Sequence, residues 1–144
     1  MAKIRPNHAT VTPCLRYLNA PAAIKWLCKA FGFKKHAVYA AKDGTIMHAQ
    51  LTYGNGMIML SSARQDDYGK LVALPKDLKR AVNTHSVCVI VEDADKHYKQ
   101  AKKAGAEIVW EIEDQHYGGR SYVCRDPEGY LWCFGTYNPW TDPA

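Results

Sequence analysis

No stretch of this 144-residue chain reaches the roughly 18 consecutive apolar residues that a membrane-spanning helix needs. The opening residues, MAKIRPNHAT, hold no hydrophobic signal core. Both absences point to a cytoplasmic protein with no membrane partner. Cys-x-x-Cys spacing is also missing. The five cysteines, at 14, 28, 88, 124 and 133, are odd in number, so they read as free thiols in a reducing compartment and not as a disulfide frame. Charge of one sign is scarce, since 19 Lys and Arg against 14 Asp and Glu leave a net +5. The lysines at 25, 29, 96, 99, 102 and 103 fall on two helical stretches, as solvated helix faces do. No basic stripe is interleaved with exposed aromatics, so a nucleic-acid partner is not expected. What remains is an ordinary globular composition, 47% hydrophobic and 23% charged, in a chain long enough for one domain with a real core.

Periodicity and turn residues divide the chain. His8 to Tyr17 reads as a strand, with Pro13 demanding an edge or a bulge. Asn19 suits an N-cap and Pro21 the first helical turn. Ile24, Leu27, Cys28 and Phe31 share a helical face, and Gly32 ends it. Strands follow at Phe33 to Ala41, Ile46 to Tyr53 and Met57 to Ser62, separated by Lys42-Asp43-Gly44 and Gly54-Asn55-Gly56. Residues 63–83 are polar and aperiodic, and read as a connector with one helical turn.

The pattern then repeats. Ser86 to Val91 is a strand, Asp93 caps a helix running to Ala104, Gly105 stops it, and Glu107 to Glu113 is a strand. Ser121 to Arg125 and Tyr130 to Phe134 form a hairpin around Asp126-Pro127-Glu128-Gly129, whose residues each favour a tight turn. Asn19 and Asp93 lie 74 positions apart, as do Lys25 and Lys99, which marks an internal duplication. The expected fold is α+β in the mixed α/β sense. Two tandem βαβββ modules occupy about 8–62 and 84–137 of one domain.

The Asp126-Pro127-x-Gly129-Tyr130 hairpin, closing a duplicated βαβββ pattern, resembles the vicinal oxygen chelate superfamily. This group takes in glyoxalases, extradiol dioxygenases, fosfomycin-resistance enzymes and bleomycin-resistance proteins. The resemblance implies that two curved half-sheets enclose a cleft, with helices outside. Val87, Val89, Val91, Ile58, Leu60, Trp132 and Phe134 are expected to face the helices, and alternate residues the cleft. It also implies metal ligands on the first and last strand of each module. By position these fall on Thr12, Met59, Ser86 and Cys133. None is His, Glu or Asp, and such a set departs from the ligands that divalent metals take. No metal or other cofactor is therefore expected. His85 would enter the cleft only on a one-residue shift of register.

Other residues share the expected cleft parity. Arg16 either grips an anion bidentately or lies along the sheet rim. His48 and Gln50 share one face of the third strand and could select a ligand. Arg120 and Tyr122 point inward if Ser121 and Val123 face the helix. His116, in Gln115-His116-Tyr117 before Gly118-Gly119, sits on a loop at the mouth. His116 and Tyr122 are the candidate acid or base groups. Cys14, Cys88 and Cys133 read as small apolar liners, Met57 and Met59 as a soft wall, and Trp110 and Trp132 as core. The implied function is that of the bleomycin-resistance branch: a metal-free, homodimeric protein binding or sequestering a small, partly apolar or aromatic compound. The alternatives are a metal-dependent lyase or dioxygenase using His48, His85 or His116, or a metal-free isomerase or lyase.

Overall fold

Pro13 sets where the first strand starts. It has no N–H for a ladder, so β1 (Cys14–Tyr17) begins after it, and the expectation of a strand from His8 is corrected. The Pro13 carbonyl still accepts from Met59 N at 2.9 Å. The structure, a computed structural model, describes residues 3–79 and 82–142; residues 80 and 81 of the connector lie outside them. Two units divide the chain between Leu74 and Pro75, inside that connector.

In the first unit, Asn19 accepts from Ala22 N at 3.2 Å and starts α1 (Ala20–Phe31). A cap of this kind is worth about 1 kcal/mol. Ala23, Ile24, Leu27 and Phe31 are buried along one side of the helix, where each Ile, Leu or Phe contributes about 1.5–3 kcal/mol. The strands β2 (Lys34–Ala40), β3 (Ile46–Tyr53) and β4 (Gly56–Ser62) complete a sheet in the order β1-β4-β3-β2. β1 runs parallel to β4 and the other pairs are antiparallel. Leu15, Tyr17, Ala49, Leu51, Ile58 and Leu60 are buried and alternate with less buried neighbours, so one face packs on the helix.

The second unit repeats this plan with β5 (Val87–Ile90), α2 (Ala94–Lys103), β6 (Glu107–Asp114), β7 (Arg120–Arg125) and β8 (Leu131–Gly135), in the order β5-β8-β7-β6. Asp93 accepts from Lys96 N at 2.9 Å and caps α2. Tyr122, Cys124, Trp132 and Phe134 are buried on the helix side. The connector holds a short 3-10 segment, Pro75–Asp77. No helix among the described residues is long and apolar enough to cross a membrane. The fold is thus mixed α+β, with two tandem βαβββ modules.

The duplication is not in uniform register. Cys14 pairs with Met59 and Cys88 with Cys133, so a spacing of 74 holds for the first and last strands. Across the adjoining hairpins, Gln50 pairs with Met59 but Val123 with Cys133. There the equivalent residues are 73 apart, because the turn around Asp126–Gly129 is one residue longer than the one at Gly54. A one-residue slip turns every side chain to the other face.

Candidate functional site

Each sheet has a far face, turned away from its helix, and the strand registers define what lies there. In the first module one row crosses all four strands: Cys14, Met59, Gln50 and Ala37. The equivalent row of the second is Cys88, Cys133, Val123 and Trp110. Sulfur thus occupies the first two places of both rows.

Around the first row, Gln50 Nε2 meets His48 Nε2 at 3.1 Å. The His48 ring stacks on Tyr39, with centroids 6.2 Å apart and planes 24° apart. Met57 takes the far-face side of β4, opposite Thr52. Arg16 shares the face, but its guanidinium is already engaged. It holds both carboxylate oxygens of Asp66, at 3.1 and 3.3 Å, and lies 4.8 Å from the centroid of the Tyr68 ring. Asp66 also accepts from Gly69 N at 2.7 Å. The Arg16 guanidinium and that amide hold the Asp66 carboxyl below its ordinary value. Arg16 therefore grips an anion, as the sequence allowed, and the anion is supplied by the connector of its own chain. Its partners sit about fifty positions downstream in an aperiodic segment, out of reach of any spacing rule.

The second module corrects several expectations. Tyr122 is 1% exposed and lies on the helix side. Its hydroxyl meets His97 Nδ1 at 2.6 Å, and its ring stacks on Phe134. The longer β7–β8 turn is the physical cause, because it reverses the facing that the 74-residue spacing assigns. Arg120 goes with Tyr122. Its Nε lies 3.0 Å from Asp95 on α2 and its Nη1 3.3 Å from Asp114 on β6. These residues tie the helix to the sheet, and neither is placed to meet a far-face ligand. Accordingly, Tyr122→Phe should fold and leave far-face binding unchanged, while unfolding free energy falls by about 1–2 kcal/mol. Urea titration checks the second part. Loss of ligand affinity at unchanged stability would instead make Tyr122 a ligand contact.

His116 is exposed in the β6–β7 turn, its ring edge-on to Tyr117 at 5.2 Å. That turn is closed by Gln115 N to Gly119 O at 2.9 Å and Gly118 N to Gln115 O at 3.0 Å, so it is a tight hairpin end and not a long loop. His85 is exposed, with its Nδ1 3.2 Å from Thr84 Oγ1.

Trp132 is core, with 0% exposure, but Trp110 is 68% exposed. A bulge between Ile108 and Trp110 carries it off the alternation that the sequence suggests. Tyr39, 60% exposed, went unmarked because β2 has little apolar periodicity. His97 also escaped notice, since a helical His among lysines looks solvated; it is 8% exposed, at 4.2 Å from the Phe134 ring.

The cysteines are not equivalent. Burial pushes the Cys124 thiol up to about 12 and raises that of Cys28. Cys14 is exposed and its S–H donates to the Thr12 carbonyl at 3.8 Å. Cys88 is exposed too, but the hydrogen bonds from Cys133 and then Ser86 hold it down at about 6. The same contact, and then burial, push Cys133 up.

The four positions carried over as metal ligands bear a hydroxyl (Thr12), a thioether (Met59), a hydroxyl (Ser86) and a thiol (Cys133). Thr12 and Ser86 precede β1 and β5 and do not lie within them. This donor set does not suit the nitrogen- and carboxylate-bound divalent metals of such sites. Among the described residues no three His, Cys, Asp or Glu side chains gather in a way that could hold a metal ion.

Comparison with known proteins agrees with this architecture. The chain is 30% identical over 125 residues to the uncharacterized protein Rv0887c of Mycobacterium tuberculosis strain H37Rv, which covers 87% of this chain and 72% of that protein. Mb0911c of Mycobacterium bovis gives the same identity and covers 81% of its own length. Among solved structures, TioX from Micromonospora sp. ML1 superposes with a TM-score of 0.68 at 32% identity, over 88% of this chain and 94% of that one. The fosfomycin resistance protein FosX from Listeria monocytogenes shares the fold at 12% identity, with a TM-score of 0.64 over 92% and 95% of the two chains. The family model described as Glyoxalase/Bleomycin resistance protein/Dioxygenase superfamily matches residues 5–134. With the paired βαβββ modules, that match across both halves places the chain in the glyoxalase/bleomycin resistance protein/dioxygenase superfamily.

Proposed function

We propose that the chain is a metal-free small-molecule-binding protein, each of whose sheets presents a far face suited to a partly apolar or aromatic ligand. The observation that carries this reading is the pair of equivalent rows, Cys14-Met59-Gln50-Ala37 and Cys88-Cys133-Val123-Trp110. Thiol, thioether and aromatic side chains dominate them, with Gln50 and His48 as the polar groups that fix orientation. Ligand sites are commonly built this way, from apolar walls and a few placed polar groups. Trp110 supplies the broadest surface for stacking. Pairing into a homodimer belongs to the same reading, as is typical of the superfamily, and so does a cytoplasmic location. A single monomer mass in light scattering at micromolar concentration would remove the dimer from it.

The test is metal content, followed by ligand screening. Elemental analysis before and after incubation with Zn²⁺, Ni²⁺, Mn²⁺ and Fe²⁺ should find less than roughly a tenth of an equivalent, given the poor donor set. Aromatic and partly apolar compounds should then raise thermal stability, by about 2.7 kcal/mol at 100 times Kd. Trp110→Ala should weaken the best of them about tenfold, as loss of a stacked aromatic does. Retention of one metal per chain would replace this proposal with a metal-dependent lyase or dioxygenase.

A further inference from the structure

The connector folds back on the first sheet before it leaves it. Arg64 Nη2 donates to the Ile46 carbonyl at 2.8 Å, which fixes the root of the segment beside β3. Asp66 then reaches Arg16 with both carboxylate oxygens, and Tyr68 brings its ring to 4.8 Å from the same guanidinium. The segment 64–69 is tightly wound. Gly69 N donates to Asp66 at 2.7 Å, and a Cβ on Gly69 would lie 2.0 Å from the Arg64 carbonyl oxygen. The Arg16 side chain is only 12% exposed, while that of Asp66 is 44% exposed. The cation is thus the enclosed member of the pair, and the groups that satisfy it lie outside.

Arg16 also begins a polar row beside the apolar one. It pairs with Ser61 on β4, and His48 on β3 pairs with Tyr39 on β2. Ser61 and His48 oppose each other one step on from Leu60 and Ala49. β1 and β3 lie two strand spacings apart, about 10 Å. The corresponding row of the second module runs Ile90-Gly135-Ser121 and holds no cation.

We propose that Arg16 is the anion-recognition residue of the first module's far face, that its ligands are aromatic carboxylic acids, and that residues 64–69 are a strap such a ligand displaces. This rests on the reading of the far face as a ligand site. The strap offers Arg16 a carboxylate in a bidentate grip and an aromatic ring against its charge. Those are the two groups of an aromatic acid. A ligand carboxylate takes the place of Asp66, and its ring lies along the row toward His48. Exchange of one carboxylate for another keeps the enclosed guanidinium paired, whereas a neutral ligand would strand it.

The probes are 2-naphthoate and its neutral counterpart 2-naphthamide, titrated by calorimetry and placed by methionine-methyl NMR. Naphthoate should bind wild type more tightly than naphthamide, shift the Met57 and Met59 signals, and speed hydrogen exchange of the Gly69 amide as the strap leaves. Asp66→Asn keeps an acceptor for Gly69 N but removes the competing charge. It should tighten naphthoate about tenfold, as for a site previously closed roughly nine-tenths of the time, and change naphthamide less than about twofold. Arg16→Gln should erase the difference between the probes; if that variant does not fold, Asp66→Asn decides alone. Unchanged naphthoate affinity in Asp66→Asn, with naphthamide still bound and still shifting Met59, would overturn this proposal and leave far-face binding standing. Failure of both probes to shift Met57 and Met59 in every one of these proteins would overturn both.

Discussion

Asp126→Ala should lower the unfolding free energy by about 3–5 kcal/mol, among the largest single losses available in this chain. Asp126 is 4% exposed and its carboxylate organises the closing hairpin. One oxygen accepts from Glu128 N at 3.0 Å and Tyr130 N at 3.1 Å, and the other from the Trp132 indole at 3.1 Å. Alanine removes the acceptors of these three hydrogen bonds at once. The indole of fully buried Trp132 would then lie without this partner in a site that water reaches poorly. Asp126→Asn separates the two roles. Its amide oxygen can still serve the two backbone N–H groups, while its NH₂ faces the indole N–H, donor against donor. Asparagine should therefore cost less than alanine, about 1–3 kcal/mol. Urea titration of the three proteins measures both. Equal, small losses would show that the turn residues alone, without the buried carboxylate, hold the hairpin.

Gly119→Ala should cost about 2–4 kcal/mol, for two reasons that can be separated. Gly119 has φ of +73°, which an L side chain adopts with strain. A Cβ there would also lie 2.5 Å from Tyr137 N and 2.9 Å from Tyr137 Cα. These are backbone atoms beside the bond from Thr136 N to Arg120 O, at 3.1 Å, so they cannot swing aside. Gly44 has a similar φ of +83° with nothing within 4 Å of its Cβ position. Gly44→Ala therefore measures the strain alone and should cost about 1 kcal/mol. If both variants lose the same amount, the approach of Tyr137 is not what requires glycine at 119.

Much of the architecture was legible in the residues because local chemistry enforces it. Asn19 and Asp93 cap the helices they were expected to cap, and the turn at Asp126 joins two strands where its composition demands one. The facing of individual side chains was less legible, because it depends on counting. One extra residue in the β7–β8 turn sent Tyr122 to the helix side, and a bulge sent Trp110 away from it. The reversal could have been found by pairing. Trp132 and Phe134 were already expected to face the helix, and their antiparallel partners, Cys124 and Tyr122, must share that face. The clasp of Asp66 on Arg16 arises only when distant segments meet, and no periodicity announces it.

The closure of each sheet within its own half bears on how the chain is made. β1 finds its parallel partner in β4 and β5 in β8, so neither sheet borrows a strand from the other. The last strand of the first sheet ends at Ser62, before the second module begins. A ribosome adding about 5–20 residues per second takes roughly 4–15 s to synthesise the remaining half. Hairpins and helices form in microseconds. The first module therefore has ample time to complete its hydrogen-bonded ladder before a competing copy of the same pattern leaves the exit tunnel. For two halves alike enough to exchange strands, synthesis in sequence is a kinetic safeguard against mispairing.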